Sequence, residues 1–421
     1  MASKAPPAAS CGLRGSGVRT TTTPSSLREF RLLWIGGLLT TMAAQISVLA
    51  LPLLVLRQTG STAAAGVIGT VSMGALLVGT LPGGALADAV ERRRLLRLCD
   101  FGGLLVVSAL AVAVLNGTAP LILVLLVAGT GAVINGLYAP AALGLLRAVM
   151  SEDQLGLASA RILARSAVAR LAGPLVGGAL FAAHPAAPFV AQAVLLLNST
   201  ACLGFIRTRS APGHRSGSKF SRRHIAAGFV FLWRQPYLRT VLLVFGLGMN
   251  SSFSALMFTA LAVVSDNGQS GLGGGLVVSV AAAGSLAGTL LAPCLRPDKR
   301  FGSLIVGTCW TCAVAAGVLT ILHPPVMLGL LAGVCMAMAS LASIGFLTAL
   351  LRATPEEMVG RVQSAASFVS SLVQPLGPLL AGALLAASGV TTTLGLLGFA
   401  FAVCAVVVTS APASRQSRSS S

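Results

Sequence analysis

Charged residues are scarce in this chain, and acidic ones are scarcer still. Of its 421 residues, 9% are charged, 55% are hydrophobic and only ten are Asp or Glu. An average soluble domain carries about 25% charged residues, so the composition excludes an ordinary soluble globule and predicts a polytopic membrane protein. A spanning helix needs about 20 apolar residues. The chain therefore has room for twelve spans joined by short connections in an all-α fold.

No acidic residue falls at the centre of a predicted span. A carboxylate that couples proton movement to transport is expected within the membrane, where its protonation accompanies the opening of a cavity. Asp88, Asp100 and Asp266, each near the end of a predicted helix, are the remaining candidates for proton coupling. Each proton that moves down a membrane potential of 100 mV supplies about 2.3 kcal/mol.

Residues that carry enzyme chemistry are few and scattered. The eight cysteines suggest no disulfide framework. Cys309 and Cys312 have redox or metal spacing but lie within one apolar run, which favours small apolar residues of a helix. The four histidines lie in loops or at helix ends without partners. With no nucleotide-binding loop and no cluster of metal ligands in the sequence, we predict no enzyme, no metal and no cofactor. Only 5% of residues are aromatic, which limits stacking on a flat ligand.

Basic residues, in contrast, are abundant and unevenly placed. The chain has 29 Lys and Arg and a formal charge of +19, yet only Arg57 falls in a predicted outward loop. Most of the others lie in the two tails and in alternate loops, which is the pattern of the positive-inside rule. The charge therefore predicts orientation, with both termini in the cytoplasm, and argues against nucleic acid as a partner.

One long polar connection divides the predicted spans into two sets of six. The predicted spans are 32–56, 64–87, 95–115, 120–147, 157–183, 187–206, 239–264, 274–295, 302–322, 325–351, 361–387 and 391–410. The predicted organisation is a disordered tail 1–25, a six-helix bundle 26–206, a cytoplasmic linker 207–238, a second bundle 239–410 and a tail 411–421. The linker is either a solvated connection or a lipid-binding or regulatory segment.

The two halves share short sequence repeats. Leu145-Leu-Arg-Ala148 recurs as Leu350-Leu-Arg-Ala353, and the run that begins Gly173-Pro174 recurs at Gly377-Pro378, so the offsets are 205 and 204. Gly79-Thr-Leu81 recurs as Gly288-Thr-Leu290 at an offset of 209. Internal duplication is typical of transporters that alternate access by rocking one half against the other. The predicted fold is thus twelve transmembrane helices in two pseudo-symmetric six-helix bundles.

A signature between the second and third spans links the chain to a family. The stretch from Gly84 to Arg93, which includes Leu86, Ala87, Asp88 and Arg92, resembles the loop motif of the major facilitator superfamily, with Ala89 and Glu91 as departures. Its form is similar to that of the enterobactin-exporter and macrolide-efflux branch. The resemblance implies a gating role for Gly84, Asp88, Arg92 and Arg93, with Asp88 facing the start of the eleventh span.

The fifth span carries a second motif. Gly173, Pro174, Gly177 and Gly178 resemble the Gly-Pro-x-x-Gly-Gly signature of the superfamily's exporters. A proline within a helix removes a backbone hydrogen bond and bends it, and glycines let a neighbouring helix approach closely. We expect a hinge or seal near the outward end, with a simple close-packed helix contact as the alternative. Gly377 and Pro378 are expected to act in the same way in the eleventh span.

Polar residues in otherwise apolar spans are the candidates for lining a substrate cavity. An arginine at mid-membrane costs about 2.5–3.5 kcal/mol, so Arg165 and Arg170 are expected to face a wet cavity or a partner within the bundle, and an anionic substrate is one use for them. The alternative for the uncharged candidates is hydrogen bonding between helices. These uncharged candidates are Gln45, Asn135, Tyr138, Asn250, Ser251, Gln363 and Gln374.

Together these features predict a secondary active transporter. We expect a monomer in the bacterial inner membrane that exports a small amphiphilic molecule, such as a siderophore, an antibiotic or a drug-like compound. Alternating access coupled to proton antiport is the expected mechanism, with lipid and protons as its other partners. The alternatives are an uptake or facilitative transporter and a membrane sensor that transports nothing.

Overall fold

The first half of the chain forms six helices. The computed structural model describes residues 24–150, 152–206, 229–235, 239, 242–266, 271–295, 301–321, 324–354 and 358–410. Residues 1–23 of the predicted first tail, the predicted second tail and most of the predicted linker lie outside these ranges, whereas Pro24 and Ser25 already belong to the first helix. The helices of the first half are α1 (Pro24–Thr59), α2 (Thr62–Ala89), α3 (Arg92–Leu115), α4 (Leu121–Val149), α5 (Glu152–Ala183) and α6 (Ala187–Phe205).

The second half repeats this pattern. A π-helical segment, Leu242–Met249, runs directly into the first of its α-helices. Within a bilayer each backbone N–H and C=O must find its partner inside the segment, so long apolar runs become helices. The remaining helices are α7 (Asn250–Asp266), α8 (Leu272–Leu295), α9 (Phe301–Ile321), α10 (Pro325–Ala353), α11 (Val359–Leu372) and α12 (Leu376–Ser410).

Helix α12 changes direction at Gly389. Its 35 residues would reach about 52 Å at 1.5 Å per residue, well beyond a hydrocarbon core of about 30 Å. Gly389 adopts φ 77° and ψ −178° and so interrupts the helix. This break lies between the predicted spans 361–387 and 391–410. Gly60 and Gly117, with φ of 63° and 71°, occupy the short turns after α1 and α3. We call the end of the bundle that carries these turns the turn end.

The helices confirm an all-α membrane fold. Among the residues that the structure describes, ten helices are long and apolar enough to cross a membrane, and Asn250–Val264 is a shorter apolar helix. The run Ala365–Ser410 counts once among the ten although it contains the break at Gly389. The total of twelve spans remains a prediction.

The two halves pack by equivalent contacts. A methyl group at Gly275 of α8 would lie 2.7 Å from the Pro174 carbonyl oxygen of α5, and one at Gly66 of α2 would lie 2.5 Å from that of Pro378 in α12. Pro174 and Pro378 are 204 residues apart, and Gly66 and Gly275 are 209 apart. These are two of the three offsets of the sequence repeats, so the repeats mark positions with the same packing role.

Equivalent glycine contacts also occur between helices of the same half. Gly79 of α2 lies against the Val133 backbone of α4, and Gly288 of α8 lies against the Ala337 backbone of α10. Close approach of two helix backbones requires a residue without a side chain at the crossing point. The glycine-rich composition of these spans is therefore explained by helix crossings that are repeated in both halves.

Candidate functional site

A cavity lies between the two halves. Its volume is about 400 Å³, within the range of about 300–1,000 Å³ that is common for small-molecule sites. Among the described residues that line it none is charged, and the polar side chains are Ser47, Ser72, Asn135 and Ser254. The apolar lining is Ala44, Val48, Leu49, Leu51, Pro52, Gly69, Met73, Leu76, Val127, Ala128, Gly131, Ala132, Met257, Phe258, Leu261, Val278 and Pro378.

Contacts between the halves close the structure at the turn end. The Thr62 hydroxyl donates a hydrogen bond to the Gly382 carbonyl at 3.1 Å, and the Thr70 hydroxyl donates one to the Pro375 carbonyl at 2.9 Å. On the opposite side of the interface, Gly178 of α5 lies directly against Gly271, just before α8. The α2–α12 and α5–α8 contacts together seal this end of the cavity.

The Gly-Pro motifs sit at these contacts. Gly173 lies against Gln45 of α1, Gly177 lies against Ile46, and all four motif positions from Gly173 to Gly178 are buried. Gly377 lies against the Ser251 carbonyl in the second half. The motif glycines are thus close-packed helix contacts within each half and, at Gly178, between the halves.

The other predicted cavity residues are distributed more widely. Asn135 is the one of them that lines the cavity. The Asn250 side-chain amide donates to the Ser370 carbonyl at 3.1 Å, and the Ser251 hydroxyl donates to the Val373 carbonyl at 3.3 Å. These bonds connect α7 to α11 and to the residue that follows α11. Hydrogen bonding between helices was the alternative to a cavity-lining role for these residues. Gln363 is exposed on α11, and Gln45 and Gln374 are half-buried.

Arg165 joins α5 to α1. Its side chain is 5% exposed, and its Nη1 atom donates hydrogen bonds to the carbonyl of Leu33 at 3.2 Å and to that of Trp34 at 2.9 Å. The guanidinium fills the space next to Gly37, where a methyl group would overlap it. Arg165 is therefore a partner of the helix backbone within the first half, and it does not line the cavity described above. Arg170 is exposed on α5.

The loop signature lies at the opposite end from the turns. Gly84 and Asp88 fall in the last turns of α2, and their surroundings lie outside the described part of the chain, as does the loop before α11. Arg92 Nη1 donates to the Gly144 carbonyl at 3.3 Å, and Arg93 Nη2 donates to the Gly204 carbonyl at 2.7 Å. The carbonyls at a helix C-terminus carry partial negative charge, so Arg93 stabilises the end of α6. The gating contact of Asp88 remains a prediction.

A buried polar cluster inside the first half contains Asp100, one of the three candidates for proton coupling, together with Thr40 and Ser199, which the sequence did not single out. Asp100 of α3 is fully buried; its Oδ1 lies 3.0 Å from the Thr40 hydroxyl oxygen of α1, and its Oδ2 lies 2.5 Å from the Ser199 hydroxyl oxygen of α6. The sequence placed Asp100 near a helix end, but α3 begins at Arg92, so Asp100 lies in its third turn. The signal that was available is a lone carboxylate at the start of an apolar run.

Tyr138 of α4 completes this cluster. Its hydroxyl lies beside those of Thr40 and Ser199 and close enough to interact with Asp100 and Arg165. The side chain is 6% exposed, and its oxygen makes no hydrogen bond within the described residues. Tyr138 was predicted to line the substrate cavity; it lies instead in the interior of the first half, one helical turn beyond Asn135.

The fold and the site together define a class of protein. Two similar helical halves that enclose a cavity at their interface are the architecture of a secondary transporter. The family model described as Major Facilitator Superfamily matches residues 33–374. The chain belongs to the major facilitator superfamily and is a multi-pass membrane protein.

Similar proteins include several named enterobactin exporters. Those of Shigella boydii serotype 18 and Escherichia coli O139:H28 are 24% identical to this chain over 388 residues. The matched region covers 90% of this chain and 90% of each of these relatives. The likeness extends over nearly the whole length of both chains.

Solved structures of transporters share the fold. A mutant form of the nucleoside transporter NupG matches with a TM-score of 0.71 and 10% identity, covering 90% of this chain and 99% of that one. A bacterial homologue of the iron transporter ferroportin, in an inward-facing state, matches with a TM-score of 0.65 and 17% identity, covering 91% of this chain and 98% of that one. At these identities the likeness concerns the fold.

Proposed function

We propose that this transporter exports small, uncharged amphiphilic molecules across the bacterial inner membrane in exchange for protons. The observation that carries this proposal is the cavity between the halves. In the described part of the chain, its lining contains three serines and one asparagine among apolar residues and no charged side chain. An ionised substrate placed there would lose its hydration without a compensating charge. A drug-like compound or the uncharged form of a siderophore matches this lining.

The direction and the mechanism rest on other features. The named relatives are exporters, and the Gly-Pro motif of α5 packs at the interface that must open and close during alternating access. Rocking of one half against the other would break the α2–α12 and α5–α8 contacts at the turn end and expose the cavity on that side.

Inverted membrane vesicles test this proposal directly. Vesicles that contain the protein, and matched vesicles without it, would be given Nile red as a neutral apolar probe or enterobactin as a siderophore, with an imposed pH gradient. We expect the protein to accumulate at least one of the two probes, and a protonophore to abolish that accumulation. Equilibration of both probes that is indifferent to the pH gradient would instead identify a facilitative transporter.

A further inference from the structure

We infer that Asp100 is the proton-binding site of this transporter, held between α1, α3 and α6 by the hydroxyls of Thr40 and Ser199. This inference deepens the proposed proton-coupled export and rests on it for its role in transport. Binding of a proton at Asp100 is a separate property of the protein that can be measured without any substrate.

The geometry around Asp100 brings several oxygen atoms together. Beyond the two bonds to the carboxyl group, the Thr40 and Ser199 hydroxyl oxygens are 2.8 Å from each other. Each also lies within hydrogen-bonding distance of the Gly36 carbonyl, at 3.2 Å for Thr40 and 3.0 Å for Ser199. Five oxygen-oxygen contacts therefore connect one carboxyl group, two hydroxyls and one carbonyl.

The three contacts among the side chains, which join Asp100 Oδ1 to Thr40, Thr40 to Ser199 and Ser199 to Asp100 Oδ2, need three hydrogen atoms. Each hydroxyl contributes a single hydrogen, so Thr40 and Ser199 supply two, and a proton on Asp100 supplies the third. A proton on Asp100 Oδ2 allows a closed ring: Asp100 donates to Ser199, Ser199 donates to Thr40, and Thr40 donates to Asp100 Oδ1. The neutral acid thus uses the short contacts on the three side chains without leaving a hydroxyl unpaired.

The charges around Asp100 also favour the neutral form in this arrangement. Within the described part of the chain, Asp100 has no ion-pair partner, and its two carboxyl oxygens are hydrogen-bonded to the Thr40 and Ser199 hydroxyls. Arg165 is directed to the carbonyls of Leu33 and Trp34. An ionised carboxylate without a cation is costly in such an environment. The other titratable groups that face this region are Cys99, Tyr138 and Cys202.

Asp100 is placed where its protonation can affect the substrate cavity. Thr40 lies one helical turn before Ala44, and Tyr138 lies one turn after Asn135; Ala44 and Asn135 both line the cavity. On α6, Gln192 accepts a hydrogen bond of 2.6 Å from the cavity residue Ser47. Because Asp100 is fully buried, loss of the proton would create a charge without water and favour a movement of the surrounding helices that admits water.

Infrared spectroscopy of the purified protein in lipid vesicles tests proton binding without a transported substrate. The carbonyl stretch of a protonated carboxyl group is distinct from that of a carboxylate. We expect the difference spectrum between the wild type and Asp100→Asn to contain a protonated-carboxyl band at neutral pH, which disappears as the pH is raised. If no such band distinguishes the two proteins at any pH at which both remain folded, the inference is wrong.

Ser199→Ala and Thr40→Val provide matched variants that keep the carboxyl group. Each removes one hydrogen-bond partner, so the protonated-carboxyl band should remain and shift to a different frequency. A permanently ionised Asp100 would have no protonated-carboxyl band to shift. Should Asp100→Asn fail to fold, an unchanged band in both of these variants would overturn the inference.

Transport in the same vesicles separates this inference from the proposed function. With Nile red or enterobactin as the probe, Asp100→Asn should lose the stimulation by the pH gradient, so that its rate with the gradient equals its rate without it. Full stimulation in this variant would refute Asp100 as the coupling site while leaving proton-driven export intact. A titrating band in a protein that moves neither probe would refute the proposed function and leave proton binding at Asp100 intact.

Discussion

At the scale of single residues, buried ionisable side chains in the first half are hydrogen-bonded to carbonyl and hydroxyl oxygens of the helices. Arg165 is directed to the carbonyls of Leu33 and Trp34. Asp100 uses two hydroxyls. In a chain with so few acidic residues, backbone and hydroxyl groups stabilise buried polar side chains that ion pairs would hold elsewhere.

The space beside Arg165 leads to a stability prediction. Because a methyl group at Gly37 would overlap the guanidinium, Gly37→Ala should displace Arg165 and remove its two backbone hydrogen bonds. Hydrogen bonds to charged groups contribute about 1.5–3 kcal/mol, so we expect a clear fall in the thermal unfolding temperature in detergent.

Gly74→Ala is the matched control for this change. Gly74 lies in the same half, within α2, and a methyl group there meets nothing within 4 Å. It should leave the unfolding temperature unchanged or raise it slightly, since alanine favours a helix over glycine by about 0.5–1 kcal/mol. Equal effects of the two substitutions would show that Arg165 is not held as described.

At the scale of helices, the seal at the turn end is built twice. Gly66 of α2 meets the Pro378 carbonyl, and Gly275 of α8 meets the Pro174 carbonyl. In both contacts, a glycine of one half packs against the backbone of a proline-containing helix of the other half. We therefore expect each of the two contacts to be necessary for closure of this end.

Larger residues at these two glycines should keep the turn end open. We predict that Gly66→Val and Gly275→Val each increase the labelling of a cysteine placed at Ser47, in the cavity, by a membrane-impermeant maleimide added from the turn side. Gly156→Val is the control, since Gly156 has no atom within 4 Å of an added methyl group. Unchanged labelling in both variants would show that these contacts do not form the seal.

At the scale of the whole molecule, pseudo-symmetry accounts for the position of the cavity. Its lining comes from α1, α2 and α4 in the first half and from α7, α8 and α12 in the second. A cavity shared in this way changes shape whenever one half moves relative to the other, which is the requirement for alternating access.

The charge distribution predicts the orientation of the whole molecule. A cysteine at Thr118, in the turn between α3 and α4, should react with an impermeant reagent in intact cells. A cysteine at Ser216, in the basic connection between the halves, should react only after the cells are opened. The reverse pattern would contradict the placement of both termini in the cytoplasm that follows from the positive-inside rule.

The sequence predicts most helices to within a few residues, because apolar length and the glycine-bearing turns are local properties. It predicted that α1 begins at 32, whereas the helix starts at Pro24, since its first polar turns carry no apolar signal. It predicted a span over 361–387, where the structure has α11, a break at residues 373–375 and the start of α12. Cavity residues were harder to predict, because polarity alone does not distinguish Asn135 from Asn250.

The sequence by itself determined the class of fold, the internal duplication and the family, since composition, repeats and motifs are written along the chain. Only the tertiary structure decided which polar residues meet. Asp100 lies 60 residues from Thr40 and 99 from Ser199, and their meeting depends on how α1, α3 and α6 pack. The burial that makes Asp100 a candidate for proton binding is a property of that packing and of no local stretch of residues.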